Sequence, residues 1–234
     1  MKPVKKVVVL LSAGLDSTVN AFDAIKHGHE IVLALTFNYG QRAAQKEVES
    51  AAKIAAHLKI PHKVVDLPWF KDFNKSSLLV AEQAVPVGAQ VEIDNLQKSA
   101  ESAKSVWVPN RNGIFLNIAA AYAEALGAIA VIPGFNVEEA ATFPDNSKEF
   151  MDTATKALYY STSNHVTVGC YTVHLKKPDI VRLGHGLKVP WEMIWPCYFS
   201  GEQWCGQCES CQRAKRAFAS ANVDVKHLFK DSAE

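Results

Sequence analysis

The sequence predicts an α/β protein in which helices cover both faces of a parallel sheet. Apolar runs of strand length recur along the chain, as at 7–11 and 31–37. A segment with apolar residues at helical spacing follows each of these two runs. Such alternation favours parallel pairing, because each crossover helix returns the chain to the same end of the sheet.

The later elements follow the same alternation. Spacing of apolar residues predicts helices over 43–58, 113–126, 146–160, 178–186 and 212–221. Strands are predicted over 63–67, 128–135 and 166–175. Asn112 is the predicted N-cap of the helix that starts at 113, and Asn146 or Ser147 that of the next helix. Residues 82–105 lack a clear period and are interpreted as a flap or insertion.

Composition places the chain among ordinary globular proteins. It has 234 residues, of which 48% are hydrophobic and 21% charged, with a net charge of +1. This length allows a domain over 1–190 with a small C-terminal unit over 191–234. The near-neutral charge argues against a direct nucleic-acid partner. Without a membrane-length apolar run or a signal-peptide pattern, we expect a cytoplasmic protein that does not bind membranes.

The loop after the first strand has the properties of a phosphate site. Ser12, Ala13 and Gly14 are small, so a bound group can approach the backbone closely. Successive N–H groups of such a loop and the following helix N-terminus both attract anions. The alternative is a tight turn without a ligand. The loop matches neither the Walker A pattern nor G-x-G-x-x-G.

Other polar loops are expected to converge on this one. In parallel sheets, ligands bind at the carboxyl ends of the strands. The loops expected at that edge are 12–17, 38–42 and 136–145, and Arg111 and Asn112 lie just before a helix that would join them. The sequence therefore predicts one composite site.

Four cysteines close to the C-terminus form the most specific chemical signal. Cys197, Cys205, Cys208 and Cys211 have the short spacing of a tetrahedral zinc site. An iron–sulfur cluster and paired disulfides are the alternatives, although disulfides are rare in a reducing compartment. Four thiolates leave no open coordination position, so the site is predicted to be structural.

Two family resemblances refine this interpretation. The first loop resembles the Ser-Gly-Gly-x-Asp-Ser loop of the ATP pyrophosphatases (PP-loop enzymes), with Ala13 in place of a glycine. Together with Tyr39-Gly40-Gln41-Arg42, 108–112, Pro144-Asp145 and the cysteine cluster, the chain resembles the 7-cyano-7-deazaguanine synthase family over nearly its whole length. The resemblance implies an adenine-nucleotide alpha-hydrolase-like (Rossmann-like) domain carrying a small Cys₄ zinc knuckle.

The resemblance also implies the reaction. ATP and Mg²⁺ adenylate 7-carboxy-7-deazaguanine, and ammonia displaces AMP to give the amide. A second adenylation and the loss of AMP give the nitrile, a precursor of queuosine. One structural Zn²⁺ per chain and a homodimer are expected, and the apolar stretch 191–195 is a possible dimer surface.

Site residues follow from matching these motifs. Asp16, Ser17 and Arg111 are the expected catalytic residues. The expected ATP-binding residues are Leu11, Ser12, Ala13, Gly14, Leu15, Asp16, Ser17, Thr18, Val19, Asn20 and Ala21. The expected substrate-binding residues are Tyr39, Gln41, Arg42, Arg111, Asn112, Glu138, Glu139 and Asp145. A solvated loop is the alternative for Glu138 and Glu139, and a surface salt bridge for Arg42 and Arg111.

Two other functions are alternatives to the synthase reaction. A tRNA thiolase would need a pair of cysteines for sulfur transfer, but only Cys170 lies outside the cluster. A non-catalytic zinc protein that binds ATP or AMP would bind nucleotide without turnover.

Overall fold

The computed structural model describes residues 5–80, 82–93 and 102–230. Its sheet has five parallel strands in the order β3-β2-β1-β4-β5. They are β1 (Lys6–Leu10), β2 (Glu30–Asn38), β3 (His62–Asp66), β4 (Ala130–Ile132) and β5 (Thr167–Val168). β1 is therefore central, and the chain passes to its other side between β3 and β4.

Helices cover both faces, as predicted. They are α1 (Leu15–Lys26), α2 (Ala44–Leu58), α3 (Phe70–Phe73), α4 (Arg111–Ala125), α5 (Val137–Ala140), α6 (Lys148–Ser161), α7 (Lys177–Gly186) and α8 (Glu209–Ser220). Short 3₁₀ turns lie at Gly88–Gln90, Pro144–Asn146, Trp191–Met193 and Lys226–Leu228. None of the helices among the described residues has both the length and the hydropathy for a membrane crossing.

Alternate residues of β1 belong to two separate cores. Val7 and Val9 belong to a core with residues of α1, α2, α7 and α8, whereas Val8 belongs to a core with residues of α4 and α6. The first core includes Trp191 and Trp195, which are nearly buried. The expectation that 191–195 forms a dimer surface is therefore wrong for these two tryptophans, because they pack inside their own chain.

Two predicted strands are shorter than expected, and one cap is misplaced. β4 ends before Pro133, which has no N–H for a sheet ladder. β5 is an edge strand of two residues. Asn112 is not an N-cap: α4 begins at Arg111, two residues earlier than predicted, after Asn110, whose φ is 52°. Ser147 is a cap, since its Oγ accepts the Phe150 N–H at 3.1 Å.

The described parts of 82–105 contact the cysteine-rich unit. Val87 pairs with Cys208 as an isolated antiparallel bridge. The Ser102 hydroxyl donates to Glu209 Oε2 at 2.9 Å. A flap function for this segment stays a prediction, as does the division at residue 190, and 94–101 lie outside the described residues.

Candidate active site

The β1–α1 loop is held by its own side chains. Ser12 Oγ lies 3.0 Å from Ser17 Oγ and accepts the Gly14 N–H at 3.3 Å. Ala13 has φ 60°, in the left-handed region, and its carbonyl accepts the Trp195 N–H at 2.8 Å. An alanine there costs about 1–2 kcal/mol relative to its usual conformations. The loop therefore keeps a glycine-type turn despite the methyl group.

The first turn of α1 faces a cavity at the carboxyl end of the sheet. Amides in the first turn of a helix have no acceptor within the helix, and the dipole adds positive character. A second wall comes from the segment after β4. A Cβ on Gly134 would lie 2.4 Å from the backbone nitrogen of Ser17, so only glycine fits this approach. Gly134 was not predicted, although a glycine directly after a strand was an available signal.

A buried ion cluster lies at the start of α1. Lys177 Nζ lies 2.8 Å from Asp16 Oδ2 and 2.7 Å from Glu139 Oε1. Burial raises the pKa of Asp16, although Lys177 opposes this effect. Burial also disfavours the charge of Glu139, but Lys177 outweighs it and lowers the pKa. Lys177 is not among the residues predicted from the sequence, because it lies 161 residues from Asp16 in the chain.

One oxygen of this cluster has no partner. Asp16 Oδ1 is buried and forms no hydrogen bond with the described residues. Buried polar atoms normally have partners, so an orphaned carboxylate oxygen beside a phosphate-type loop indicates a missing ligand. Hard cations prefer carboxylate oxygens, so the donor set fits Mg²⁺.

The opposite wall carries a half-buried cation. Arg111 Nη1 donates to the Tyr39 hydroxyl at 3.3 Å, and Phe115 lies beside them. Burial opposes the charge of Arg111, but Tyr39 and Asp145 raise its pKa. The pKa of Tyr39 is raised by burial. Arg111 therefore stays protonated and presents positive charge to the cavity.

Glu47 is a further cavity residue that is absent from the predicted site. Its Oε2 accepts from Gln41 Nε2 at 2.8 Å. Burial raises its pKa to about 7, while Gln41 and Arg111 pull the value down. Glu47 falls in the sequence within an ordinary polar helix start, so no local pattern distinguished it.

The structure brings most of the predicted site residues together around this cavity. Those that line it are Leu11, Ser12, Gly14, Leu15, Asp16, Ser17, Tyr39, Gln41, Arg111, Asn112 and Glu139. Those outside its lining are Ala13, Thr18, Val19, Asn20, Ala21, Arg42, Glu138 and Asp145. The predicted loops therefore converge on one cavity, but it is lined by fewer of the predicted residues than expected; their roles stay predictions.

The residues outside the lining have other contacts. Arg42 donates to three carbonyl oxygens of 77–83, at 2.6 to 2.9 Å. Glu138 pairs with Arg216 and accepts the Lys177 backbone N–H. Asp145 borders the site, since its carbonyl accepts from Asn112 Nδ2 at 3.2 Å.

The four clustered cysteines converge near the start of α8. Their sulfur atoms all lie within 4.8 Å of one another, and Cys205 Sγ is 3.8 Å from Cys211 Sγ. Backbone N–H groups point at two of the sulfurs: two reach Cys197, and two reach Cys205, at 3.3–3.4 Å. Such N–H contacts stabilise thiolates, the form that binds metal. The cluster can hold a metal ion.

The fold and site together define a parallel α/β protein with a phosphate-type loop after its central strand and an appended cysteine cluster. Among solved structures, the U34-tRNA thiolase NcsA from Methanococcus maripaludis with its [4Fe-4S] cluster aligns with a TM-score of 0.50. It is 17% identical, and the match covers 94% of this chain and 67% of that one. At this identity the likeness shows the fold alone.

Sequence comparisons identify the family. The model of the queuosine biosynthesis protein QueC matches residues 6–222. The 7-cyano-7-deazaguanine synthase of Bdellovibrio bacteriovorus is 84% identical over 231 residues, covering 99% of this chain and 100% of the relative. That of Carboxydothermus hydrogenoformans is 51% identical over 213 residues, covering 91% and 98%. The chain belongs to the 7-cyano-7-deazaguanine synthase family, whose members are carbon–nitrogen ligases.

Proposed function

We propose that this chain converts 7-carboxy-7-deazaguanine and ammonia to 7-cyano-7-deazaguanine, with two molecules of ATP, in queuosine precursor synthesis. The observation that carries the proposal is the cavity between the α1 N-terminus and Arg111, in a chain 84% identical to a synthase of that name. The tRNA thiolase alternative is not favoured by the relatives, which share the synthase name.

The first adenylation needs positioning rather than a protein nucleophile. The substrate carboxylate attacks the α-phosphorus of ATP, and pyrophosphate leaves toward the first turn of α1. The N–H groups there and the Lys177 ammonium are suited to the departing charge. Arg111 faces the same cavity and can stabilise the negative charge that develops on the adenylate.

Amide and nitrile formation repeat this chemistry. Ammonia attacks the acyl adenylate and AMP leaves, which gives the amide. The amide oxygen then attacks a second ATP, and loss of AMP gives the nitrile. Tyr39 and Phe115, 5.5 Å apart between ring centroids, and the Asn112 amide are available to hold the planar base.

Metal ions complete the proposal. Asp16 would hold Mg²⁺, which would neutralise phosphate charge. For the cysteine cluster we infer Zn²⁺, because Zn–S bonds of about 2.3 Å at tetrahedral angles place sulfurs roughly 3.8 Å apart. The Cys205–Cys211 separation is 3.8 Å. With four thiolates the ion would be structural.

We also infer a cytoplasmic homodimer that acts on small molecules. These inferences rest on the family resemblance and on the reducing compartment that free cysteines need. Sedimentation of the full chain would test the dimer.

A product assay tests the function. Purified, metal-loaded protein is incubated with ATP, Mg²⁺, ammonium and 7-carboxy-7-deazaguanine, and products are identified by mass. The expected products are the amide, the nitrile, AMP and pyrophosphate. Nucleotide binding without any of these products would instead support a non-catalytic binding protein.

A further inference from the structure

One cavity carboxylate has no role in the adenylation steps. Glu47 lies in the first turn of α2 and shares the cavity lining with Ser17 and Arg111. Its Oε2 accepts from Gln41, as described above. Oε2 is the only oxygen of this carboxylate with a hydrogen bond to the described residues, and Glu47 lines the cavity. Glu47 therefore presents one free oxygen to a ligand.

Gln41 holds this carboxylate in place. Its Nε2 donates to both Phe37 O, at 3.1 Å, and Glu47 Oε2, at 2.8 Å. Its Oε1 accepts the Tyr39 N–H at 3.0 Å. Both amide hydrogens and one carbonyl lone pair are thus used within the protein, which fixes the amide. Gln41 is consequently a positioning residue for Glu47.

Charge pairing distinguishes Glu47 from the other acids of the cavity. Asp16 and Glu139 share Lys177, whereas Glu47 forms no ion pair within the described parts of the chain. Glu47 is half-buried, and a carboxylate withdrawn from water without an ion pair at contact distance is unfavourable unless a cation or a proton joins it. Within the cavity, Glu47 is thus the carboxylate best suited to a small cation that donates hydrogen bonds.

We propose that Glu47 binds the ammonium ion and accepts its proton in the amide-forming step. This inference rests on the proposed function, which makes ammonia a substrate. Ammonium is small, carries one positive charge and has only N–H donors, so it matches a free carboxylate oxygen. Arg111 and Lys177 are cationic hydrogen-bond donors, so they can neither bind ammonium nor accept its proton.

The proton and bond balance is complete. Ammonium gives one proton to the Glu47 carboxylate, and the ammonia that results attacks the carbonyl carbon of the acyl adenylate. The new C–N bond forms as the C–O bond to AMP breaks, and AMP leaves with that electron pair. The second N–H proton goes to the AMP phosphate. Glu47 then releases its proton to solvent.

Its environment suits this exchange. Burial raises the pKa of Glu47 to about 7, while Gln41 and Arg111 lower it. The Tyr39 phenol also faces it, and burial raises the pKa of that group. Near neutral pH the carboxyl can thus accept and release a proton, as a general base requires.

The test separates ammonium use from adenylation. Exchange of labelled pyrophosphate into ATP, with 7-carboxy-7-deazaguanine and no ammonium, reports adenylation alone. The KM for ammonium in amide formation reports the attack of ammonia on the adenylate. The variants are Glu47→Gln and Glu47→Asp, and Glu49→Gln on the same helix is the matched control, because Glu49 lies outside the cavity lining.

Glu47→Gln is expected to raise the KM for ammonium by at least about tenfold near neutral pH, since hydrogen bonds to charged groups are worth about 1.5–3 kcal/mol. Pyrophosphate exchange should change less than about threefold, an effect below 1 kcal/mol. The ammonium defect should shrink as pH rises, because free ammonia becomes more abundant. Glu47→Asp should recover part of the loss.

Three results would overturn the proposal: an unchanged KM for ammonium, an equal loss of exchange and amide formation, or a defect that is independent of pH. The first leaves ammonium binding elsewhere, and the second makes Glu47 a structural or ATP-binding residue. The third would show that Glu47 does not accept the proton of ammonium. Absence of both exchange and product in the unaltered chain would instead refute the proposed function itself.

Discussion

Lys177 is the residue on which the electrostatics of the site depend most. It is the cation shared by Asp16 and Glu139, and all three are largely buried. Removing one partner of a buried ion pair leaves uncompensated charge, which is more damaging than loss of the pair as a whole. The two carboxylates would then repel each other next to the phosphate loop.

We expect Lys177→Met to lower the free energy of unfolding by about 3–5 kcal/mol near pH 8, as for other broken buried pairs. Urea unfolding measures this change. The matched control is Lys176→Met, because Lys176 is exposed and its replacement should have little effect. Equal stability of the two variants would contradict the buried cluster.

Gly134 determines how closely the β4 segment approaches α1. We expect Gly134→Ala to cost about 1–3 kcal/mol and to weaken ATP binding, because a Cβ would displace the Ser17 backbone. Gly186→Ala is the control, since no atom lies within 4 Å of a Cβ at that position. Calorimetric ATP titrations and thermal unfolding measure both effects, and identical behaviour of the two variants would refute the close approach.

Cavity residues that stand outside recognisable motifs could not be predicted from the sequence, because contacts between distant residues bring them to the cavity. Asp16, Ser17 and Arg111 stand in recognisable motifs, and the structure places all three on the cavity. Lys177 and Glu47 stand in ordinary helix starts, and only the folded chain brings them to the same cavity. Arg42 stands in a motif, yet its guanidinium is bonded to the carbonyls of a neighbouring loop.

Among the elements, the cysteine cluster and α8 act as a unit. Cys208 is the residue before α8, it is fully buried, and its backbone pairs with Val87. Metal binding at such a unit is coupled to its folding. The cluster should therefore stabilise both α8 and the segment 82–93.

We expect Cys208→Ser to lose the bound metal and to lower the melting temperature by several degrees, since about 1 kcal/mol shifts a chain of this size by roughly 2–4 °C. Elemental analysis and calorimetry measure the two effects. Cys170→Ser is the control, because Cys170 lies outside the cluster and should leave the metal content unchanged. Retention of metal and stability by Cys208→Ser would contradict a structural site.

Helices were easier to predict than strands for a physical reason. Apolar spacing located α2, α6 and α7 to within two residues, because burial on one side repeats over several turns. The runs at 128–135 and 166–175 are apolar beyond β4 and β5, since the chain stays buried after sheet pairing ends. Hydrophobicity indicates which residues are buried, whereas the end of a strand depends on where its backbone stops forming hydrogen bonds with the neighbouring strand.

At the scale of the whole molecule, the acids in and beside the cavity make stability decrease from acidic toward neutral pH. The pKa of Glu47 is about 7 in the folded chain, whereas the ordinary pKa of a glutamate, which applies in the unfolded chain, is 4.5. The folded state therefore binds more protons between these values, so stability decreases as pH rises through them. Asp16 and Asp145, whose pKa values are also raised, act in the same direction.

We expect Glu47→Gln to remove part of this decrease. From pH 5 to pH 8 the unaltered chain should lose about 2–3 kcal/mol more than the variant, since each pKa unit is worth about 1.4 kcal/mol. Urea unfolding across this pH range measures the difference. Parallel curves for the two proteins would show that the pKa of Glu47 is not raised in the folded chain.

The fate of the substrate oxygens tests the central claim most directly. If both the carboxylate and the amide are adenylated, each of the two oxygens leaves the substrate on a molecule of AMP. With 7-carboxy-7-deazaguanine labelled with ¹⁸O in its carboxyl group, mass spectrometry should find two AMP per nitrile, each with one ¹⁸O. Label in pyrophosphate or inorganic phosphate, or one AMP per nitrile, would contradict the account.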